Sequence, residues 1–243
     1  MKTYQIHLIR HAMTKGNLEG RYIGHTDVPV CEEGFAQLRD IMENYGSYPE
    51  VDAVFSSPLK RCLQTAEAIY PGKKPIIMDE LIEYDFGEFE GKTAEELADD
   101  EDFAEWLSGT NPSKAAPFGD SQVRFNYRVC SCFEKMVDGI IRSGVRSTAV
   151  VTHGGVIMSI MAAYALPQAS MHEWLTPNCC GYTLRITPSV WARGMKAEAI
   201  SECPSAADPD EAERELWDIY DPDKDEYDVE YWENDENFPD ENK

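Results

Sequence analysis

The sequence predicts an α/β fold, a three-layer α/β/α arrangement around a largely parallel sheet, and three observations predict it. Short β-branched or aromatic runs alternate with segments of helical period along most of the chain. The run from Thr148 to Thr152 is apolar or β-branched throughout, the mark of a strand buried on both faces. Polar residues follow directly on several of these runs, where the carboxyl ends of parallel strands face a ligand.

Taken in order, Tyr4 to Arg10 reads as a buried strand ending at Arg10-His11. Glu32 to Tyr45 places Phe35, Leu38, Ile41 and Tyr45 at helical spacing. Asp52 to Phe55 is a short apolar strand stopped by Ser56-Ser57-Pro58, and Pro58 is suited to the first position of the next helix. That helix has an apolar face of Leu59, Cys62, Leu63, Ala66 and Ile69. Pro75 to Met78 reads as another strand, and an acidic, aromatic segment follows from Leu81 to Gly91. Thr93-Ala94-Glu95-Glu96 fits a capping box that opens a short helix. Ser108 to Asp120, with two prolines and two glycines, predicts a long loop. A long helix is expected from about Ser121 to Ile141, with Val123, Tyr127, Cys130, Val137 and Ile141 inward. After the strand Thr148 to Thr152 comes His153-Gly154-Gly155, and then a helix over Val156 to Leu166.

Charge divides the chain into a domain over residues 1–203 and an acidic extension over 204–243. From Glu202 to Lys243 there are 18 acids and 3 bases, a net −15, whereas the other 201 residues carry 27 acids and 19 bases, a net −8. The aromatics Trp217, Tyr220, Tyr227, Tyr231, Trp232 and Phe238 are unusual for a purely solvating tail and are compatible with a docking arm. A net charge of −23 repels nucleic acid and anionic lipid, so neither is an expected partner. No apolar run approaches membrane-spanning length, and the run near the start is too short for a signal peptide; a cytoplasmic protein is expected. Seven cysteines without paired CxxC spacing argue against a zinc site or a secreted disulfide framework.

An anionic substrate must therefore be captured by local cations. Arg10 and Arg61 supply rigid, permanently charged forks that suit phosphate. His11 can attack phosphorus as neutral imidazole, which splits one hard displacement into two easier ones, and His153 can donate to a phosphate oxygen. With no glycine-rich phosphate loop and no carboxylate cluster suited to a metal, neither metal nor cofactor is expected.

The string Leu8-Ile9-Arg10-His11-Ala12-Met13-Thr14-Lys15-Gly16-Asn17 resembles the signature of the histidine phosphatase superfamily, also called phosphoglycerate mutase-like. Further matches follow in order at Arg21 to Asp27, Ser56 to Arg61, Gln64 to Ala66, Glu83 to Gly91, Gly119-Asp120-Ser121 and Val151 to Gly155. The resemblance implies a phosphomonoesterase in which His11 carries the phosphoryl group and Arg10, Arg61 and His153 clamp it. Asn17 and backbone N–H groups near Gly24 and Gly154 would assist. Glu83 would serve as general acid and then as base, although Glu80, Asp85, Glu88 and Glu90 stand nearby. The nearest branch resembles the α-ribazole and related small-molecule phosphatases, so a small phosphate ester is the expected partner. Lys114 and Phe118 lie in the loop that would cap the site, and His25 at its rim; His7 and His172 read as structural or surface residues. Three positions depart from the pattern: Ala12 for Gly, Asp120 for Glu in Gly-Glu-Ser, and Cys31 for a capping Thr.

Two rival readings are compatible with the same fold. A phosphoglycerate mutase would return the phosphoryl group to an organic acceptor, but the family's mutases carry a cation beside the general acid where this chain has Tyr84-Asp85. A binding or regulatory protein could use the same fold without catalysis, and its mark, loss of a catalytic group, is not seen.

Overall fold

The structure is a computed structural model that describes residues 2–206. The acidic stretch beyond, with Trp217 and the other aromatics, lies outside the described residues. Strand β1 (Tyr4–Arg10) leads through the one-turn helix α1 (Lys15–Leu18) to α2 (Glu32–Asp40). The expected helix over 32–45 is continued by a π-helical turn, Ile41–Tyr45, and the short strand β2 (Gly46–Ser47). Next come β3 (Ala53–Ser56), α3 (Lys60–Ile69) and β4 (Ile76–Ile77). Two short helices, α4 (Ala94–Leu97) and α5 (Glu101–Leu107), precede the long α6 (Gln122–Ser143). The rest is β5 (Ser147–Thr152), α7 (Gly154–Tyr164), β6 (Ala165–Leu166), β7 (Gly181–Ile186), α8 (Pro188–Gly194), β8 (Ala197–Cys203) and β9 (Ser205–Ala206).

Seven strands form one sheet in the order β4-β3-β5-β1-β7-β8-β6. β7 alone runs against the other six, because it pairs antiparallel with both β1 and β8. The remaining pairings are parallel, so β1, β3 and β5 deliver their carboxyl ends to one edge. The sheet's two faces are covered separately. Ile6, Leu8, Val150 and Leu184 pack with Phe125, Phe133 and Ile157 of α6 and α7. Ile9, Val54, Ala149 and Val151 pack with Leu38 of α2 and Cys62 and Ala66 of α3. This is the expected three-layer architecture.

Two local expectations are corrected. Pro58 does not open the helix: Ser57 N still donates to Val151 O at 3.0 Å and Leu59 is extended, so the chain continues the strand pairing and α3 starts at Lys60. Asp27 Oδ1 then caps that start by accepting from Lys60 N at 2.7 Å. In α6 the buried face is Phe125, Val129, Cys132, Phe133, Met136, Val137 and Ile140. Val123 (51% exposed) and Tyr127 (75%) face solvent instead. The bulkier side chains set the helix's rotation, and the Val/Tyr/Cys series lies along its flank. The Thr93 capping box forms with Glu96 as expected. Among the described residues no helix is long and apolar enough to cross a membrane.

Candidate active site

Three strand ends build the site. Arg10 closes β1 opposite Thr152 of β5, and Ser56 of β3 stands opposite Val151. The residues that follow, His11, Ser57 and His153, therefore emerge side by side. All three are buried, as are Arg10, Arg61 and Glu83.

His11 is oriented on every side. Its backbone N–H donates to Thr152 O (2.9 Å), and its carbonyl accepts from Asn178 Nδ2 (2.8 Å). Its ring Nδ1 lies 2.9 Å from Ala12 O, a contact that requires the proton on Nδ1 and leaves the Nε2 lone pair free to attack. Burial, and then Arg61 and Arg10, hold its pKa well below the usual histidine value. The ring is therefore neutral, and Ala12 O is placed to accept from the cationic imidazolium that attack would generate. Ala12, in place of the expected Gly, is itself fully buried and donates from its N–H to Thr65 Oγ1 at 2.9 Å.

Arg61 reaches across from α3. Its Nη1 donates to Thr26 O (2.9 Å) and its Nη2 to Gly24 O (2.7 Å), while Nε is buried with no partner. Arg10 Nη1 donates to Thr176 O at 2.8 Å. Asn17 accepts through Oδ1 from Thr14 N and Thr14 Oγ1, both at 3.0 Å, and leaves Nδ2 buried and unpartnered. A buried unsatisfied donor costs about 1–3 kcal/mol. Two such donors beside a permanent cation fit an anion with several acceptor oxygens.

The backbone near Gly24 is arranged differently from the expectation. Gly24 N donates to Glu90 Oε1 (3.0 Å), and so does His25 N (2.7 Å), so these N–H groups are already committed. Gly24 contributes its carbonyl to Arg61 and has no room for a side chain, since a Cβ would lie 1.8 Å from Tyr84 O. Gly154 opens α7, where its N–H lacks an intrahelical acceptor.

His153 is aimed by a hydroxyl: Ser57 Oγ lies 2.8 Å from its Nε2, and the two histidine rings meet edge to face with centroids 5.2 Å apart. Burial, followed by Arg61, His11 and Arg10, lowers its pKa well below the ordinary value, so it rests neutral. The Cys62 thiol, 3.5 Å from His153 Nε2, is pushed up to about 12 by burial and stays protonated.

Glu83 is the acid brought to this cluster. Tyr84 N holds its Oε1 (2.8 Å) and Gly155 N its Oε2 (3.0 Å). Burial raises its pKa above the usual carboxylate value, against the pull of those two N–H groups and of Arg61 and Arg10. The neighbouring acids have other tasks: Glu90 clasps residues 24–26, and Asp85 Oδ1 accepts from Gly87 N. Sequence reasoning missed Arg128, whose guanidinium on α6 donates to the carbonyls of Glu80 (2.9 Å), Ile82 (2.6 Å) and Glu83 (3.1 Å) and to Asp120 Oδ2 (3.1 Å). Asp120 thus serves as anchor of that strap. Only tertiary contact reveals this role, because nothing in the local sequence marks Arg128. Arg128→Met is expected to lower kcat about tenfold while KM changes less than about threefold, since the strap positions the acid without touching substrate. Arg128→Lys should recover part of the loss; an equal rise in KM with kcat unchanged would contradict the assignment.

Other expected residues fall at the edges. His25 Nε2 lies 3.1 Å from Glu83 O, at the rim. Lys114 is held by Asp102 and Glu105, and Phe118 is 90% exposed. His7 is an internal residue between Thr183 and Ser147. Cys31 caps α2 with its thiol in the place of a hydroxyl. Among the described residues no group of three or more His, Cys, Asp or Glu is arranged to hold a metal ion.

Comparison with known proteins places this geometry among relatives. Residues 6–195 match the family profile described as histidine phosphatase superfamily (branch 1). The adenosylcobalamin/α-ribazole phosphatase of Salmonella typhimurium is 30% identical over 179 residues, 71% of this chain and 86% of that protein. Phosphoserine phosphatase 1 of Hydrogenobacter thermophilus is 36% identical over 104 residues, 41% of this chain and 49% of that protein. The crystal structure of a phosphoglycerate mutase from Thermus thermophilus superposes with a TM-score of 0.58 at 31% identity, covering 84% of this chain and 99% of the other.

Proposed function

The chain belongs to the histidine phosphatase superfamily, and from that premise we propose that it is a phosphomonoesterase acting on a small-molecule phosphate ester through phospho-His11. The observation that carries the proposal is the pairing of a neutral His11, whose Nε2 is unoccupied, with a buried Glu83 whose pKa is raised. In the first step the Nε2 lone pair forms the N–P bond as the ester P–O bond breaks, and Glu83 gives its proton to the departing oxygen. In the second, the Glu83 carboxylate takes a proton from water, the hydroxyl oxygen bonds to phosphorus and the N–P bond breaks. Arg10, Arg61 Nε, Asn17 Nδ2 and His153 surround the phosphoryl oxygens, where charge accumulates.

Phosphoryl transfer between organic groups is the second reading, favoured by the kinship to the Thermus thermophilus mutase. Asp85, two residues after Glu83, argues for water as acceptor: it places an additional acid where a bisphosphorylated intermediate would need a cation. The test is hydrolysis of p-nitrophenyl phosphate by the full chain in EDTA, alongside mutase turnover primed with bisphosphoglycerate. Hydrolysis unaffected by EDTA and exceeding mutase turnover is expected; primed mutase turnover above hydrolysis would replace this reading.

A further inference from the structure

One buried hydroxyl behind the phosphoryl site has both of its roles committed. Thr65, on α3 one turn after Arg61, gives its proton to Arg61 O at 2.6 Å and accepts the Ala12 N–H at 2.9 Å. The first contact lies within the helix, where a threonine often bonds back to the carbonyl one turn earlier. The second joins α3 to the segment that follows β1, 53 positions away in the chain.

The placement of Ala12 matters because its carbonyl accepts from His11 Nδ1 at 2.9 Å. A carbonyl can only accept, so this contact keeps the ring proton on Nδ1 and the lone pair on Nε2. Around Ala12 the backbone is fastened unit by unit. The peptide between His11 and Ala12 is held at its oxygen by Asn178 Nδ2 (2.8 Å) and at its N–H by Thr65. The peptide between Met13 and Thr14 is held at its oxygen by Cys31 N (3.0 Å) and at its N–H by Asn17 Oδ1 (3.0 Å). The peptide that carries Ala12 O bridges these two, so its direction is set by theirs. Without the Thr65 hydroxyl the first unit can pivot about its oxygen anchor, driven by a buried N–H that has lost its acceptor.

We propose that Thr65 is a positioning residue for the nucleophile: through Ala12, its hydroxyl keeps His11 in the tautomer and direction that attack on phosphorus requires. This role presupposes the phospho-His11 reading, which it deepens. Arg61 keeps its own bonds to Thr26 O and Gly24 O, so capture of the phosphoryl group should be little affected.

Thr65→Val keeps the branched shape and removes the hydroxyl, whereas Thr65→Ser keeps the hydroxyl. With p-nitrophenyl phosphate and the full chain, Thr65→Val is expected to lower kcat at least about tenfold while KM stays within about threefold. Thr65→Ser should keep at least about a third of the wild-type kcat. A purely structural role would lower the melting temperature and leave the kcat of the folded fraction unchanged. NMR of the ring nitrogens in isotopically labelled protein, with His11 assigned by its absence in His11→Ala, reads the tautomer without turnover. Wild type and Thr65→Ser should carry the proton on Nδ1 alone, and Thr65→Val should show the Nε2–H form as well. A Thr65→Val kcat within about twofold of wild type, a His11 signature unchanged by that substitution, or a Thr65→Ser as slow as Thr65→Val would each overturn the role. Thr65→Ala, which also lacks the hydroxyl, takes the place of Thr65→Val if melts show the latter unfolded. A wild-type ring protonated on Nε2 overturns the role without any variant. No hydrolysis by wild type, with the ring signatures as expected, would remove the phosphatase reading and leave the hold of Thr65 on His11 standing.

Discussion

Replacing His11 by alanine is expected to lower kcat by at least about 10⁴-fold, with the thermal melting profile little changed. The size of the effect follows from the absence of a substitute. His153 is the nearest imidazole, but its Nε2 is engaged by Ser57 Oγ at 2.8 Å and its ring is turned 66° from that of His11. The Cys62 thiol is held protonated, so it is a poor nucleophile where it lies. Water would have to attack in one step, with only the binding of the phosphoryl oxygens to help. The backbone contacts that fix this corner, His11 N to Thr152 O and Asn178 Nδ2 to His11 O, do not involve the side chain, so the fold should persist. A variant that keeps more than a tenth of the wild-type rate would contradict the assignment of the nucleophile.

Glu83→Gln is the second large effect, and its signature is a dependence on the leaving group. Hydrolysis of an alkyl ester should fall by about 10²–10⁴-fold, because the departing alkoxide then lacks its proton. With p-nitrophenyl phosphate the first step needs little acid, so a burst of p-nitrophenol is expected, followed by slow turnover as water goes unactivated. The pH profile carries the same information with definite signs. The attacking form of His11 is the neutral one, and its lowered pKa keeps that form below pH 6.5. The donating form of Glu83 is the protonated one, and its raised pKa keeps that form above pH 4.5. Had both groups kept their ordinary values, about one molecule in a hundred would hold the right pair of protonation states. The opposed shifts bring the two ranges together, so wild-type kcat/KM should peak on the acidic side of neutral. Glu83→Gln should lose the alkaline limb, and an unaltered limb would mean that another acid donates the proton.

The strand-end chemistry was readable because it is local. Arg10-His11 and His153-Gly154 each sit directly after an apolar run, and parallel strands bring such ends together. The pattern implies helix α6 and buries Val137 as expected, but Val123 and Tyr127, at helical spacing with it, imitate a buried face that the larger Phe125, Phe133 and Met136 take instead. The antiparallel β7 went unread. Its interior is interrupted by Tyr182 and Arg185, both half-exposed, and its partner β1 lies more than 170 positions earlier in the chain. The supports of the site, Thr176 for Arg10, Asn178 for His11 and Arg128 for Glu83, come from segments whose relevance exists only after folding.

The central claim, that the phosphoryl group passes through His11, is tested most directly by quenching steady-state turnover in alkali and locating phosphate by peptide mass spectrometry. The account predicts a phosphoenzyme that is stable to base, labile to acid and confined to His11, and that accumulates further in Glu83→Gln. Steady turnover with phosphate found on another residue, or with no phosphoenzyme in either protein, would contradict it.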